Sequence, residues 1–262
     1  MTLEAGVVEA PGAMASRPIS LNRFARQPTR PLPVLIIMHG EASSAGRIGL
    51  GLQRRGHALD IRKPRFGCGL PETLENHAGV VVFGGPMSCN DPDDYLRREI
   101  DFAGLALKQN TPFLGICLGA QMLAKCLGAK VTKHPAGRVE IGYHRLSATS
   151  QGAALGPWPD WVYQWHREGF ELPASCRLLA TGEVFENQAF KYGEMGLGLQ
   201  FHPEINYALV NRWTNYAKDW KGKDGAQDRT TQLEAHLLGA PAVARWLDPM
   251  LGAWLDARIP VA

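Results

Sequence analysis

A cysteine between two glycines, where an apolar segment gives way to good helix formers, restricts what this chain can fold into more than any other feature. Pro112-Phe113-Leu114 reads as a buried strand, Gly115-Ile116-Cys117-Leu118-Gly119-Ala120-Gln121 as a strand-to-helix turn, and Met122 to Leu127 as a helix ended by Gly128. A turn this sharp brings the two backbones together, so side chains at 115 or 119 would collide. The arrangement is the thiol counterpart of the serine nucleophile elbow. It places the sulfur at a helix N-terminus, where unpaired N–H groups and the helix dipole favour an anion. A thiolate so placed is a nucleophile.

The pattern around it predicts an α/β fold. Val34 to Met38 is a buried strand, about Ser44 to Arg55 a helix closed by Gly56, and His57 to Ile61 a second strand. Val80 to Phe83 is a third strand, Asp93 to Gln109 a helix with acidic residues first and Lys108 near its end, and Pro112 to Ile116 the fourth strand. Strands alternating with helices imply an open, mostly parallel, doubly wound sheet whose ligands sit at the carboxyl ends of strands. Gly85 and Cys117 fall at such ends. After Gly128 the segments 139–146, 161–165, 177–181 and 197–201 read as shorter strands of a small extra sheet and edge.

A nucleophile needs a base. Leu197 to Phe201 runs into His202-Pro203-Glu204, where a carboxylate two residues past an imidazole can orient it and stabilise its charged form. Acyl transfer also creates an oxyanion. Val80-Val81-Val82-Phe83 ends in Gly84-Gly85-Pro86, a loop on which a backbone donor can approach closely, and the amides of Gly85 and Leu118 are assigned as the two donors.

Gly84-Gly85-Pro86, the elbow around Cys117 and Gln200-Phe201-His202-Pro203-Glu204 together resemble the class I, or triad, glutamine amidotransferase family, from about Pro31 to Glu204. The resemblance implies a flavodoxin-like core, Cys117 as nucleophile, His202 as base and acid, and Glu204 as orienter. It also implies Gly84, Gln121, Trp165 and His166 as substrate contacts, with Val162 to Glu168 similar to the family's later substrate loop. Trp165-His166, Phe170-Glu171-Leu172-Pro173 and the helical tail are most similar to free-standing proteins resembling the GMP synthase amidotransferase domain, which include plant γ-glutamyl peptidases. The expected domain plan is a flexible tail over residues 1–30, an amidotransferase domain over 31–204 and a C-terminal helical extension over 205–262 packed on the same domain.

The activity so implied is hydrolysis of the γ-carboxamide of L-glutamine through a γ-glutamyl thioester, releasing glutamate and ammonia; in one reading the ammonia serves a separate synthetase subunit. Neither an ATP-pyrophosphatase Ser-Gly-Gly-x-Asp-Ser signature nor a GxxxxGK[ST] loop is present to activate an acceptor in this chain. One alternative is a γ-glutamyl peptidase or hydrolase acting on γ-glutamyl peptides or amides. Another is a catalytically inactive regulatory or binding protein on the same fold.

Composition narrows the rest. A net charge of +3, from 28 basic and 25 acidic side chains, argues against a nucleic-acid partner. Five scattered cysteines show neither zinc nor disulfide spacing, so no metal or other cofactor is expected and a reducing cytoplasm fits. No apolar run approaches the ~18 residues of a membrane span. Leu209, Trp213, Tyr216 and Trp220, then Leu233, Leu237, Leu238, Val243, Trp246, Leu247, Met250, Leu251, Trp254 and Leu255, form apolar stripes. They read either as a homodimer surface or lid, or as helices packed on their own core. Residues 218–225 between them read as a mobile loop, and His39, near the end of the first strand, as structural.

Overall fold

The computed structural model describes residues 31–216, 220 and 222–256. In chain order its elements are β1 (Val34–Ile37), α1 (Gly46–Arg54), β2 (Leu59–Arg62), β3 (Gly79–Val82), α2 (Asp94–Lys108), β4 (Phe113–Ile116) and α3 (Leu118–Cys126). There follow β5 (Val131–Lys133), β6 (Glu140–Arg145), β7 (Ser147–Ala148), α4 (Ser150–Ala153), β8 (Trp161–His166) and β9 (Glu168–Phe170). The last are β10 (Cys176–Thr181), β11 (Asn187–Tyr192), β12 (Gly196–Leu199), α5 (Tyr207–Tyr216) and α6 (Arg229–Leu255). The expected tail, residues 1–30, lies outside the described residues.

An eight-stranded sheet in the order β2-β1-β3-β4-β12-β11-β10-β7 carries the fold. Its first five strands are parallel, and β11, β10 and β7 add an antiparallel edge. This is the mostly parallel α/β sheet expected from the sequence. Two-stranded sheets, β5 with β9 and β6 with β8, stand apart from it. Strands β1, β3, β4 and β12 are buried at every position. A strand covered on both faces carries a continuous apolar run rather than an alternating one, which is why these segments were legible.

Two expectations need correction. Leu197–Leu199 belongs to β12, which lies between β4 and β11 in the main sheet and not in the added sheet or edge. Burial on both faces requires a central place. The segment read as a mobile loop is, in its described part, tied to β6: Val139 N–H donates to the Asp224 carbonyl at 2.9 Å, Ile141 N–H to that of Gly225 at 3.2 Å, and Gln227 N–H to that of Ile141 at 2.9 Å. Residues 218, 219 and 221 lie outside the described residues.

Most of the C-terminal stripe faces its own core. Val243, Leu247, Leu251 and Trp254 of α6 join a buried cluster with Val34 and Ile36 of β1 and Ile48 and Leu52 of α1. Asp228 caps this helix, accepting from Thr231 N–H at 2.9 Å. Leu237 and Leu238 are the exceptions, 66% and 84% exposed. In α5, Leu209 and Val210 pack with Tyr143 and Tyr163, Trp213 lies against the same group, and the Tyr216 side chain lies outside the described residues.

Candidate active site

Strand order explains how distant motifs meet. β3, β4 and β12 are neighbours and parallel, so their carboxyl ends open on one side of the sheet. Gly84-Gly85 follows β3, Cys117 follows β4 and His202 follows β12. Cys117 is joined to the neighbouring strand by its own N–H, which donates to the Leu199 carbonyl at 2.7 Å.

The elbow is as tight as its glycines require. A Cβ at Gly119 would lie 2.1 Å from the Val82 carbonyl oxygen, and one at Gly115 would lie 2.5 Å from the backbone of Gly119. Cys117 itself has φ 50° and ψ −104°. A non-glycine residue held at positive φ costs on the order of 1–3 kcal/mol and persists only where its surroundings over-determine it. Here the helix, the hydrogen bond to β12 and the packing of Val82 do so, and Cys117 sits at the N-cap of α3. Its sulfur lies 4.0 Å from the Trp165 carbonyl oxygen.

His202 is placed from three sides. Its N–H donates to the Tyr163 carbonyl at 2.8 Å. Its Nδ1 donates to Glu204 Oε1 at 2.8 Å, with both side chains buried. The Glu204 segment is held in turn by α1: Arg47 N–H donates to the Glu204 carbonyl at 2.9 Å and Arg47 Nε to that of Ile205 at 2.8 Å. Burial opposes charge on the ring, but the Glu204 carboxylate and the Cys117 sulfur outweigh it, and the pKa is pushed up to about 10. Nε2 is buried without a hydrogen-bond partner among the described residues.

Gly84 marks where the His202 ring and the Cys117 side chain come together. A Cβ built there would lie 2.8 Å from His202 Cε1 and 3.4 Å from Cys117 Cβ, so the two side chains pack on one glycine. Neither the Gly85 nor the Leu118 N–H has an acceptor among the described residues. Thiol, imidazole, carboxylate and two unengaged backbone donors thus meet at one end of the sheet, the parts that nucleophilic acyl transfer requires.

A model of the glutamine amidotransferase class-I family matches residues 52–209. The chain belongs to that family. Among its relatives, a glutamine amidotransferase-like protein of Salmonella typhimurium is 29% identical over 188 residues, covering 68% of this chain and 77% of the relative. One subunit of the glutamine-hydrolysing GMP synthase of Sulfurisphaera tokodaii is 31% identical over 140 residues, 52% of this chain and 72% of its own. The crystal structure of a glutamine amidotransferase from Thermotoga maritima superposes with a TM-score of 0.78 at 31% identity, covering 86% of this chain and 98% of that one.

The other residues expected at this family's site fall in two places. Trp165 stays near the sulfur through its carbonyl, and its ring stacks on Tyr163 and meets Trp213 edge-on. Gln121 and His166 lie in a buried polar network. Gln121 Nε2 donates to the Glu168 carbonyl at 2.8 Å and to Gln200 Oε1 at 3.2 Å. His166 Nδ1 donates to the Glu168 carbonyl at 2.9 Å, and its Nε2 lies 2.9 Å from Glu140 Oε2. Burial opposes ionisation of Glu140, but His166 outweighs it and holds the carboxyl below its ordinary range. The network is not closed: Gln200 Nε2 is buried without a hydrogen-bond partner among the described residues, and His166 Nε2 meets Glu140 only as an ion-pair contact.

Sequence reasoning missed two partners of the site. Trp213 of α5 meets the His202 ring edge-on, centroids 4.9 Å apart; its spacing in an apolar stripe announced burial but not the imidazole beside it. Glu99 of α2, 1% exposed, pairs with His39; its place on the helix face of Leu96, Phe102, Ala103 and Ala106 marks it as buried, but nothing local names its partner. Among the described residues no group of three or more His, Cys, Asp or Glu could hold a metal ion. Nor is any helix there long and apolar enough to cross a membrane.

Proposed function

We propose that the protein hydrolyses the γ-carboxamide of L-glutamine through a γ-glutamyl thioester on Cys117. The observation that carries this is the convergence of Cys117 and His202 on Gly84, with the His202 ring held by Glu204. The Cys117 thiolate attacks the amide carbon, forming the C–S bond, and the carbonyl oxygen becomes an oxyanion met by the Gly85 and Leu118 N–H groups. Their freedom from internal acceptors suits that role. The raised pKa of His202 keeps its ring protonated and poised to deliver a proton to the departing nitrogen, so ammonia leaves. The neutral ring then takes a proton from water, hydroxide attacks the thioester, and glutamate and the thiolate are released. Glu204 keeps Nδ1 protonated and the ring aimed throughout.

The likeness to one subunit of a GMP synthase supports release of ammonia to a separate synthetase. The test is to quantify glutamate and ammonia released from glutamine by the purified protein, beside γ-glutamyl amides as competing substrates. Equimolar glutamate and ammonia from glutamine support the reading. Cleavage of γ-glutamyl amides with glutamine left intact would replace it by a γ-glutamyl hydrolase.

A further inference from the structure

His39 and Glu99 form a buried pair that the acyl-transfer chemistry above does not use. His39, just past β1, is 0% exposed, and Glu99 reaches it from α2. His39 Nε2 lies 2.6 Å from Glu99 Oε2, and its Nδ1 lies 3.2 Å from the Gly84 carbonyl oxygen. The Arg65 guanidinium in turn donates to the His39 carbonyl at 3.2 Å. Two ionisable groups this deep cost desolvation, and an apolar pair would fill the same space. An apolar pair could not supply a directed hydrogen bond.

We propose that His39, backed by Glu99, is the positioning residue that sets the Gly84–Gly85 peptide and so aims the oxyanion donor at Gly85. The inference rests on the acyl-transfer reading. In a planar trans peptide the carbonyl of one residue and the N–H of the next point in opposite directions. Holding the Gly84 carbonyl on the His39 ring therefore turns the Gly85 N–H away from His39. The faces of the two glycines agree with this division. A Cβ at Gly85 would meet His39 Cβ at 2.8 Å, whereas one at Gly84 would meet His202 and Cys117. A glycine pair has little intrinsic preference among backbone conformations, so without the tie this peptide is free to rotate. Rotated, it would present a carbonyl oxygen where an oxyanion must form.

The test uses His39→Leu/Glu99→Leu, which removes the pair together and leaves no unpaired buried charge, and His39→Asn, whose shorter amide keeps an N–H donor at the place of Nδ1. For the double variant, kcat for glutamine should fall about a hundred- to a thousand-fold, the cost of one oxyanion donor. KM and the rate of Cys117 alkylation by iodoacetamide, which needs no such donor, should change by less than about threefold. His39→Asn should recover most of kcat, and the crystal structure of the double variant should show the Gly84–Gly85 peptide rotated. The proposal is overturned by a double variant with kcat near that of the wild type, by kcat and alkylation falling together, or by an unrotated peptide. A wild type that turns over neither glutamine nor γ-glutamyl amides would defeat the functional reading instead, and the orientation of the variant's peptide would still decide the positioning claim.

Discussion

Gly84→Ala tests the geometry of the site with the smallest change available. The backbone at Gly84 does not lie in the left-handed region, so alanine meets no conformational objection there. The objection is one methyl group. It would stand 2.8 Å from His202 Cε1 and 3.4 Å from Cys117 Cβ. Carbon atoms at rest approach to about 3.5–4.0 Å, so the imidazole must retreat by roughly 0.7–1.2 Å or the loop must move by as much. A displacement of about 1 Å in a reacting group costs on the order of a hundredfold in rate, equivalent to about 2.7 kcal/mol of barrier. Steady-state glutamine hydrolysis should therefore show kcat/KM lowered about a hundredfold, while thermal unfolding shows a folded protein. A folded Gly84→Ala variant within threefold of wild type would refute the claim that His202 and Cys117 work in the arrangement described.

The remaining predictions follow from single contacts. Gly119→Ala forces a Cβ to 2.1 Å from the Val82 carbonyl oxygen, a backbone atom that cannot swing aside, and should lower the thermal unfolding midpoint sharply or prevent soluble expression; a midpoint within about 2 °C of wild type would contradict the packing at the elbow. The His202 pKa is raised from 6.5 to about 10, so the pair's contribution to stability is full below pH 6.5 and is lost as pH rises toward 10. Between those limits wild type should lose stability in urea titrations that His202→Gln does not lose, and parallel curves for the two would contradict the assignment. Trp213→Ala removes the ring set edge-on to His202, a contact worth about 0.5–1.5 kcal/mol. It should change the pH dependence of kcat, which an unaltered profile would disprove.

Legibility in the sequence followed burial. β1, β3 and β4 were readable because strands covered on both faces are written in apolar residues without alternation, and the elbow because its glycines answer a steric demand. β11 escaped. Its Gln188 and Lys191 are buried, 0% and 2% exposed, and Gln188 bonds Gln164 and Glu140 instead of facing water. A polar residue whose partners are 24 and 48 positions away gives no local sign of lying inside. β5 and β9 pair over three residues each, too short for any period to register. In the candidate site, the grouping of residues at strand ends was legible because topology rules say where ligands bind. Trp213, Glu99 and the tie of His39 to Gly84 were not, since each depends on a helix or loop docking from elsewhere in the chain.

The proposed hydrolysis requires a covalent step at one sulfur. Rapid-quench mass spectrometry of the intact protein mixed with isotope-labelled glutamine should show a γ-glutamyl adduct that maps to the peptide containing Cys117, appears within the first turnover and is absent from Cys117→Ala. Turnover of glutamine by Cys117→Ala at the wild-type rate, or an adduct carried on another residue, would contradict it.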